Sequence, residues 1–396
     1  MRVAILGAGG VGRTLASELR SDDRVDSLLL VDLVGDRAKV LAGMRGRVSI
    51  EAKQIDVSQV AALARALKGC DVAVNATLPK NNLPVMRAAL EAGADYLDVA
   101  ATGPREPGGK PGILEQLEMH DAFRSAGLTG LLSMGLDPGM TNVLAREAAD
   151  RLDSLDSVRI RSGGFVNLPG FTSFPLYSRE AFLSDILVPP TIWLDGKLEP
   201  REPMSEEEDF AFPPPVGTQR TYLISHEEVK TLPAYLGKPV RRVDFKYALD
   251  PHLTRALLAL DRLGFLDSRR MIRIGNQLIP FRRALLAAFP EASALVLPLE
   301  GTKVVSVEVE GTKDGVRKVH RADIALSHQE ANRRRSTTAV YYLTAVAAAI
   351  GVLVMRSGGL PGAGVYPAEA IDPARVVSEW TARGLPVERS ERVLGS

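Results

Sequence analysis

Gly7, Gly9 and Gly12 stand in the spacing G-x-G-x-x-G, directly after the apolar run VAIL and directly before a helical pattern over 11–19. Gly7 permits a tight turn, Gly9 leaves no side chain in the way of a pyrophosphate, and Gly12 lets the helix lie close to the strand. Gly10 and Val11 fall in the first turn of that helix, where amide hydrogens and the helix dipole favour phosphate. Asp32 ends the second apolar run, SLLLVD, twenty residues beyond Gly12, placed to accept hydrogen bonds from the adenosine ribose. A 2′-phosphate would be repelled there, and Leu33 stands where a phosphate-binding cation would be sought, so NAD is expected ahead of NADP. Arg37 is the nearest basic residue. Asp56 follows the third strand and Thr77, Leu78 and Pro79 the fourth, at the edge where open α/β sheets bind ligands. Asp56 is expected near the adenine and 77–79 near the nicotinamide ribose.

These residues need a parallel sheet to hold them. From 1 to about 150, short apolar runs alternate with helical segments, among them 60–67 and 85–92, the latter closed by Gly93. Continuous apolar strands separated by helices imply a doubly wound Rossmann sheet covered on both faces. After about 150 the texture becomes Pro-rich and irregular, with the alternating segment KVVSVEVEGTKDG at 303–315 implying an antiparallel hairpin and a second α/β domain over 151–332. A long apolar helix is expected over 337–354. It is interrupted by Tyr341, Tyr342, Thr344 and Gly351 and reads as a core helix, not a membrane span.

Composition narrows the class. At 396 residues two domains are the default, and 45% apolar with 24% charged residues is ordinary for a globular chain. A net charge of +1 with mixed signs gives no footprint for nucleic acid. The basic run Arg333, Arg334, Arg335 is expected on a solvated face, with a substrate carboxylate as the other possible contact. Cys70, the lone cysteine, allows no intrachain disulfide or thiolate zinc cluster, which with the absence of a signal-like start implies a cytoplasmic setting.

With GLDPGMTN at 135–142 in view, the chain resembles the saccharopine dehydrogenase family over nearly its whole length. The resemblance rests also on NATLP at 75–79, EAGADYLDVA at 91–100, TLP at 231–233, LGFL at 263–266, VEVEGTKDG at 307–315 and GVYPAE at 364–369. It implies a Rossmann domain, a substrate domain with an antiparallel sheet, return of 333–396 to the nucleotide domain, and a homodimer or homotetramer. It further implies oxidation of a carbon–nitrogen bond of an amino-acid substrate, for which a base, an orienting polar group and a cation for the carboxylate suffice, with no metal.

For those roles the segment RVDFKYALDPH at 242–252 resembles the family's substrate stretch, with Lys246 where Arg is usual, as carboxylate anchor or base. Asp98, ending the fifth strand, is a candidate for orienting the amine or a water, or else a helix cap. Asp137 at the cofactor edge reads as the cap of a helix beginning near Met140, whose first-turn Thr141 and Asn142 are expected to face the nicotinamide amide and the substrate. His226 and His252 are candidate bases. Tyr177 and Tyr235 are candidates for the substrate wall, and Arg242 for a carboxylate contact. Within the enzyme class, L-lysine 6-dehydrogenase is favoured by the stretches at 170–178 and 194–206, with saccharopine or a carboxylated polyamine as alternative substrates. A nucleotide-binding sensor without chemistry is the alternative from another class.

Overall fold

The computed structural model describes residues 1–42, 47–101, 110–168, 176–267, 269–290 and 299–395. Seven strands form a parallel sheet: β1 (Arg2–Leu6), β2 (Ser27–Asp32), β3 (Ser49–Gln54), β4 (Val72–Asn75), β5 (Asp95–Asp98), β6 (Thr129–Leu132) and β17 (Gly364–Pro367). Their order, β17-β6-β5-β4-β1-β2-β3, contains the 3-2-1-4-5-6 arrangement of the Rossmann fold. β1, β2 and β4 are apolar on both faces because both faces are covered. On one side Val3, Ile5, Leu28 and Val74 share a core with helices α1 (Gly10–Leu19) and α13 (Ala339–Arg356). On the other, Ala4, Leu6, Leu29 and Ala73 pack on α3 (Val60–Leu67) and α4 (Asn82–Ala92). The remaining helices of this half are α2 (Gly35–Ala42), α5 (Gly112–Leu117), α6 (His120–Ser125) and α7 (Met140–Asp150).

Among the described residues α13 alone is long and apolar enough to cross a membrane. It is instead largely buried against α1, α14 (Pro373–Ala382), β5 and β6. The apolar run is therefore a core helix.

The second sheet comprises β7 (Ser154–Asn167), β8 (Thr191–Leu194), β9 (Lys197–Pro200), β10 (Glu208–Ala211), β11 (Thr218–Leu223), β12 (Arg242–Ala248), β15 (Glu300–Lys313), β16 (Val316–Ser327) and β18 (Glu388–Val393). Its main order is β10-β11-β12-β7-β15-β16-β18, with β8 beside β12 and β9 beside β8. β15 and β16 form the expected hairpin, turned by Asp314 (φ 51) and Gly315 (φ 76), the two positive φ values of a turn that matches strand twist. The sheet is mixed, since β7 and β12 run parallel. Helices α8 (Arg179–Leu187), α9 (Glu228–Tyr235), α10 (Pro251–Arg262), α11 (Phe281–Ala288) and α12 (His328–Arg335) accompany it, with the small hairpin β13 (Met271–Ile274) and β14 (Gln277–Pro280) beside α11. The last described residues differ from the sequence expectation. β17 lies beside β6 in the parallel sheet, but β18 pairs with β16 in the mixed one, so the tail crosses back.

Candidate active site

The glycine loop has the shape that a dinucleotide needs. Gly7 takes φ 98, and a Cβ there would lie 2.9 Å from the Ala76 carbonyl oxygen. A Cβ on Gly12 would lie 1.8 Å from the Gly7 carbonyl oxygen, so α1 can pass β1 only with glycine present. A Cβ on Gly10 would strike the Tyr341 ring at 2.6 Å, whereas nothing lies within 4 Å of one built on Gly9. Gly9 therefore borders open space at the start of α1, and Gly10 and Val11 present the helix's first turn toward it. The residues fit a pyrophosphate. The Asp32 carboxylate accepts from the Ala8 and Val34 amides, each at 2.7 Å, tying the glycine loop to the end of β2. Leu33, 64% exposed, offers an apolar surface beside it. Thr77 is fixed by Asn75, Pro79 opens a short 3-10 turn and Leu78 is exposed, all past the end of β4. The exposed Asp56 holds the Ser58 amide and hydroxyl.

Across from the ends of β5 and β6 stands the mixed sheet, and segment 135–142 joins the two. Gly139 (φ 129) passes so near Gly135 that a Cβ would lie 2.1 Å from the Gly135 carbonyl oxygen, a crossing open to glycine alone. From this bend Asp137 accepts hydrogen bonds from Ser162 of β7 (2.6 Å) and from the Lys303 ammonium of β15 (3.0 Å). Lys303 also bonds Ser162 (2.5 Å) and sits 5.0 Å above the Tyr247 ring. Burial disfavours its charge, but Asp137 reverses that and holds the ammonium above its ordinary pKa. Lys303 is 4% exposed and lines a cavity of about 410 Å³ with Phe165, Phe182, Tyr247, Leu249 and Thr302.

A second cluster lies where the mixed sheet meets the end of β5. His226 stacks on Phe245 of β12 with ring centroids 3.7 Å apart, and its Nδ1 is hydrogen-bonded to Glu228. Glu228 in turn accepts from the Thr141 hydroxyl of α7 (2.9 Å), and Glu227 accepts from the Ala101 amide (2.7 Å). Burial opposes charge on the imidazole, yet Glu228, Glu227 and Asp185 overcome it and raise its pKa to about 9. Asp185, hydrogen-bonded to the Tyr177 hydroxyl (3.0 Å), is itself driven by burial to about 7. Ligand-type atoms of His226, Glu227 and Glu228 lie within 4.8 Å of one another, but Nδ1 is already committed to Glu228, so we read the group as an imidazolium held by carboxylates. A His oriented through Nδ1 by a buried carboxylate is suited to acid–base work.

Several residues expected at the site lie elsewhere. Lys246 sits between Phe245 and Tyr247, and strand alternation sends it to the opposite face. There it pairs with Glu208 (3.2 Å), beside Arg161, which is bonded to Asp244 (2.5 Å). Arg242 shares that face, bound to Asp244 (2.7 Å) and Glu206 (2.5 Å). Asp98 is enclosed, its oxygens taken by the Ser133 amide, Gln116 and Tyr96; burial raises it to about 7. Asn142 is spent on the Gly139 amide and Glu369. Asp137 faces Lys303 instead of the glycine loop. Tyr235, at the far end of α9, neighbours Glu369 and Tyr366. Exposed His252 opens α10, and Arg333, Arg334 and Arg335 pair with Glu330 and Glu18. Residues 170–175, part of one stretch favouring lysine, lie outside the described residues. Of the expected set, His226 and Tyr177 meet at one cluster. Lys303 was legible by parity: it shares the face of Val305 and Val307, a cation on an apolar side. Glu228 carried no such signal, because an acidic pair reads as a solvated surface.

Sheet, cradle and cleft define an NAD(P)-dependent oxidoreductase. The chain belongs to the saccharopine dehydrogenase family: residues 3–131 match the saccharopine dehydrogenase NADP binding domain and residues 135–385 the saccharopine dehydrogenase C-terminal domain. It is 28% identical to a carboxyaminopropylagmatine dehydrogenase of Synechocystis, covering 97% of this chain and 96% of that one. It is 25% identical to a carboxynorspermidine synthase of Vibrio cholerae over the same shares of the two chains, 97% and 96%. Its fold is similar to that of the saccharopine dehydrogenase (L-Glu forming) of Saccharomyces cerevisiae, with TM-score 0.72, 16% identity and 100% of both chains covered.

Proposed function

We propose that this enzyme makes or oxidises the carbon–nitrogen bond of a carboxylated polyamine, with NAD as the preferred cofactor. The carrying observation is the contrast in charge between two cavities, one lined by Lys303 and the other by Asp185, His226, Glu227 and Lys230. At the first, the adjacent Lys303 and Asp137 complement the carboxylate and ammonium of an amino-acid head. At the second, Asp185, Glu227 and Glu228 outnumber His226 and Lys230, which suits a cationic tail. Tyr247 and Tyr177 stand between the two clusters, as walls for a polymethylene chain. Free lysine shares these charges, but the whole-length relatives carry carboxylated polyamine names, and this outweighs the local likeness at 170–178 and 194–206 on which the lysine expectation stood.

The parallel sheet holds the cofactor and the mixed sheet the substrate. Gly7, Gly9, Gly10, Val11 and Gly12 hold the pyrophosphate, Asp32 the ribose, and Thr77 to Pro79 border the nicotinamide half. When bound, the nicotinamide supplies or accepts the hydride at the carbon of the C–N bond. In the reductive direction His226, charged at neutral pH, gives a proton to the nitrogen and Glu228 keeps the ring oriented. In the oxidative direction the neutral imidazole takes that proton and the imine is hydrolysed to aldehyde and amine. The test is a substrate panel followed by reduced-nicotinamide absorbance. Carboxynorspermidine or carboxyaminopropylagmatine should exceed L-lysine and saccharopine at least tenfold in kcat/KM. Lysine or saccharopine as the better substrate would overturn the assignment, and NAD binding without any turnover would favour the sensor.

A further inference from the structure

Two adjacent residues in the first turn of α7 grip carboxylates from different parts of the chain. Thr141 donates to Glu228 (2.9 Å), the partner of His226. Asn142 donates to Glu369 (2.9 Å), which follows β17 and is wholly buried. Asn142 also accepts from the Gly139 amide (2.9 Å), locking the turn to the glycine bend that carries Asp137. Glu369 touches neither cavity lined by Lys303 nor that lined by His226, so direct substrate contact does not explain a carboxyl fully removed from water. Burying one without a role costs several kcal/mol.

We propose that Glu369 is a positioning residue which, through Asn142 and Thr141, sets the Glu228 carboxylate against His226. The proposal rests on His226 being the acid–base group. The electrostatics run the same way. Burial raises the Glu369 carboxyl to about 7, with Glu228 adding to the rise and Thr231 and Asn142 opposing it. Tyr235 is a further ionisable neighbour of Glu369. His226 is faced by Glu227, Glu228 and Lys230 of the α9 segment and by Asp185 of α8. Once ionised, Glu369 adds negative charge behind Glu228 and favours the imidazolium.

Glu369→Gln keeps the size and an oxygen for Asn142 but never carries charge. In the oxidative direction, where the neutral imidazole is the base, it should therefore move the acidic limb of the kcat/KM profile, set near pH 9 by His226, to lower pH by roughly 0.3 to 1 unit. Thr141→Val, which removes a donor from Glu228, should move the limb in the same direction and provides a second route if Glu369→Gln fails to fold. Carboxynorspermidine and carboxyaminopropylagmatine are the probes, with His226→Gln alongside. A limb that stays fixed in both variants, whatever happens to Tm, overturns the positioning role. Full turnover by His226→Gln would instead overturn the reading of His226, and this proposal with it.

Discussion

The two faces of β7, β12 and β15 carry charge to different ends. On the cleft face Lys303, held by Asp137 and Ser162, lines an open cavity, and His226 presses on Phe245. On the far face Arg161, Asp244, Glu208, Lys246 and Arg242 bind one another. Both faces bury ionised groups, and Arg161 and Asp244 are each 1% exposed. Burial of charge therefore does not distinguish chemistry from architecture. What distinguishes the faces is that one set borders a volume a substrate can enter, while the other is saturated by its own partners.

Substitutions on each face should separate along that line. On the cleft face, His226→Gln should lower kcat/KM by about 10²- to 10⁴-fold, the usual contribution of a positioned acid–base group, with NAD(P) affinity by calorimetry unchanged. Less than a tenfold loss would remove His226 from the reaction. On the far face, Asp244→Ala should cost about 3 to 5 kcal/mol of stability by leaving Arg161 buried without its partner, while folded enzyme keeps its kcat/KM. Denaturant unfolding checks the first part. Burial alone would raise the Asp244 carboxyl, but Arg161 and Arg242 hold it below 3.8. Its stabilising contribution is thus complete above that pH and lost as pH falls through the lowered value. The smallest effect belongs to Lys246→Met. Its ammonium, held below its ordinary pKa chiefly by burial, faces Glu208 and not the cavity, so kcat/KM should stay within about twofold. A thirtyfold loss would reverse the comparison of the two faces.

Local pattern in the chain determined the nucleotide half. Three glycines between an apolar strand and a helix have one economical geometry, and Asp32 at the end of the next strand follows from the length of a βαβ unit, so those positions were readable in order. The hairpin at 303–315 was readable for the same reason: alternation and a two-residue turn are local properties. Which polar residues meet across the cleft was decided only by tertiary structure. Lys246 and Tyr247 are neighbours in sequence but face opposite ways, and parity alone does not say which side of a sheet will meet the cofactor. Glu228, Thr141, Asn142 and Glu369 come from α9, α7 and the turn after β17, elements brought together by the return of β17 to the parallel sheet. No spacing along the chain encodes that meeting, because the distances between those residues are set by how two sheets, two helices and a turn pack.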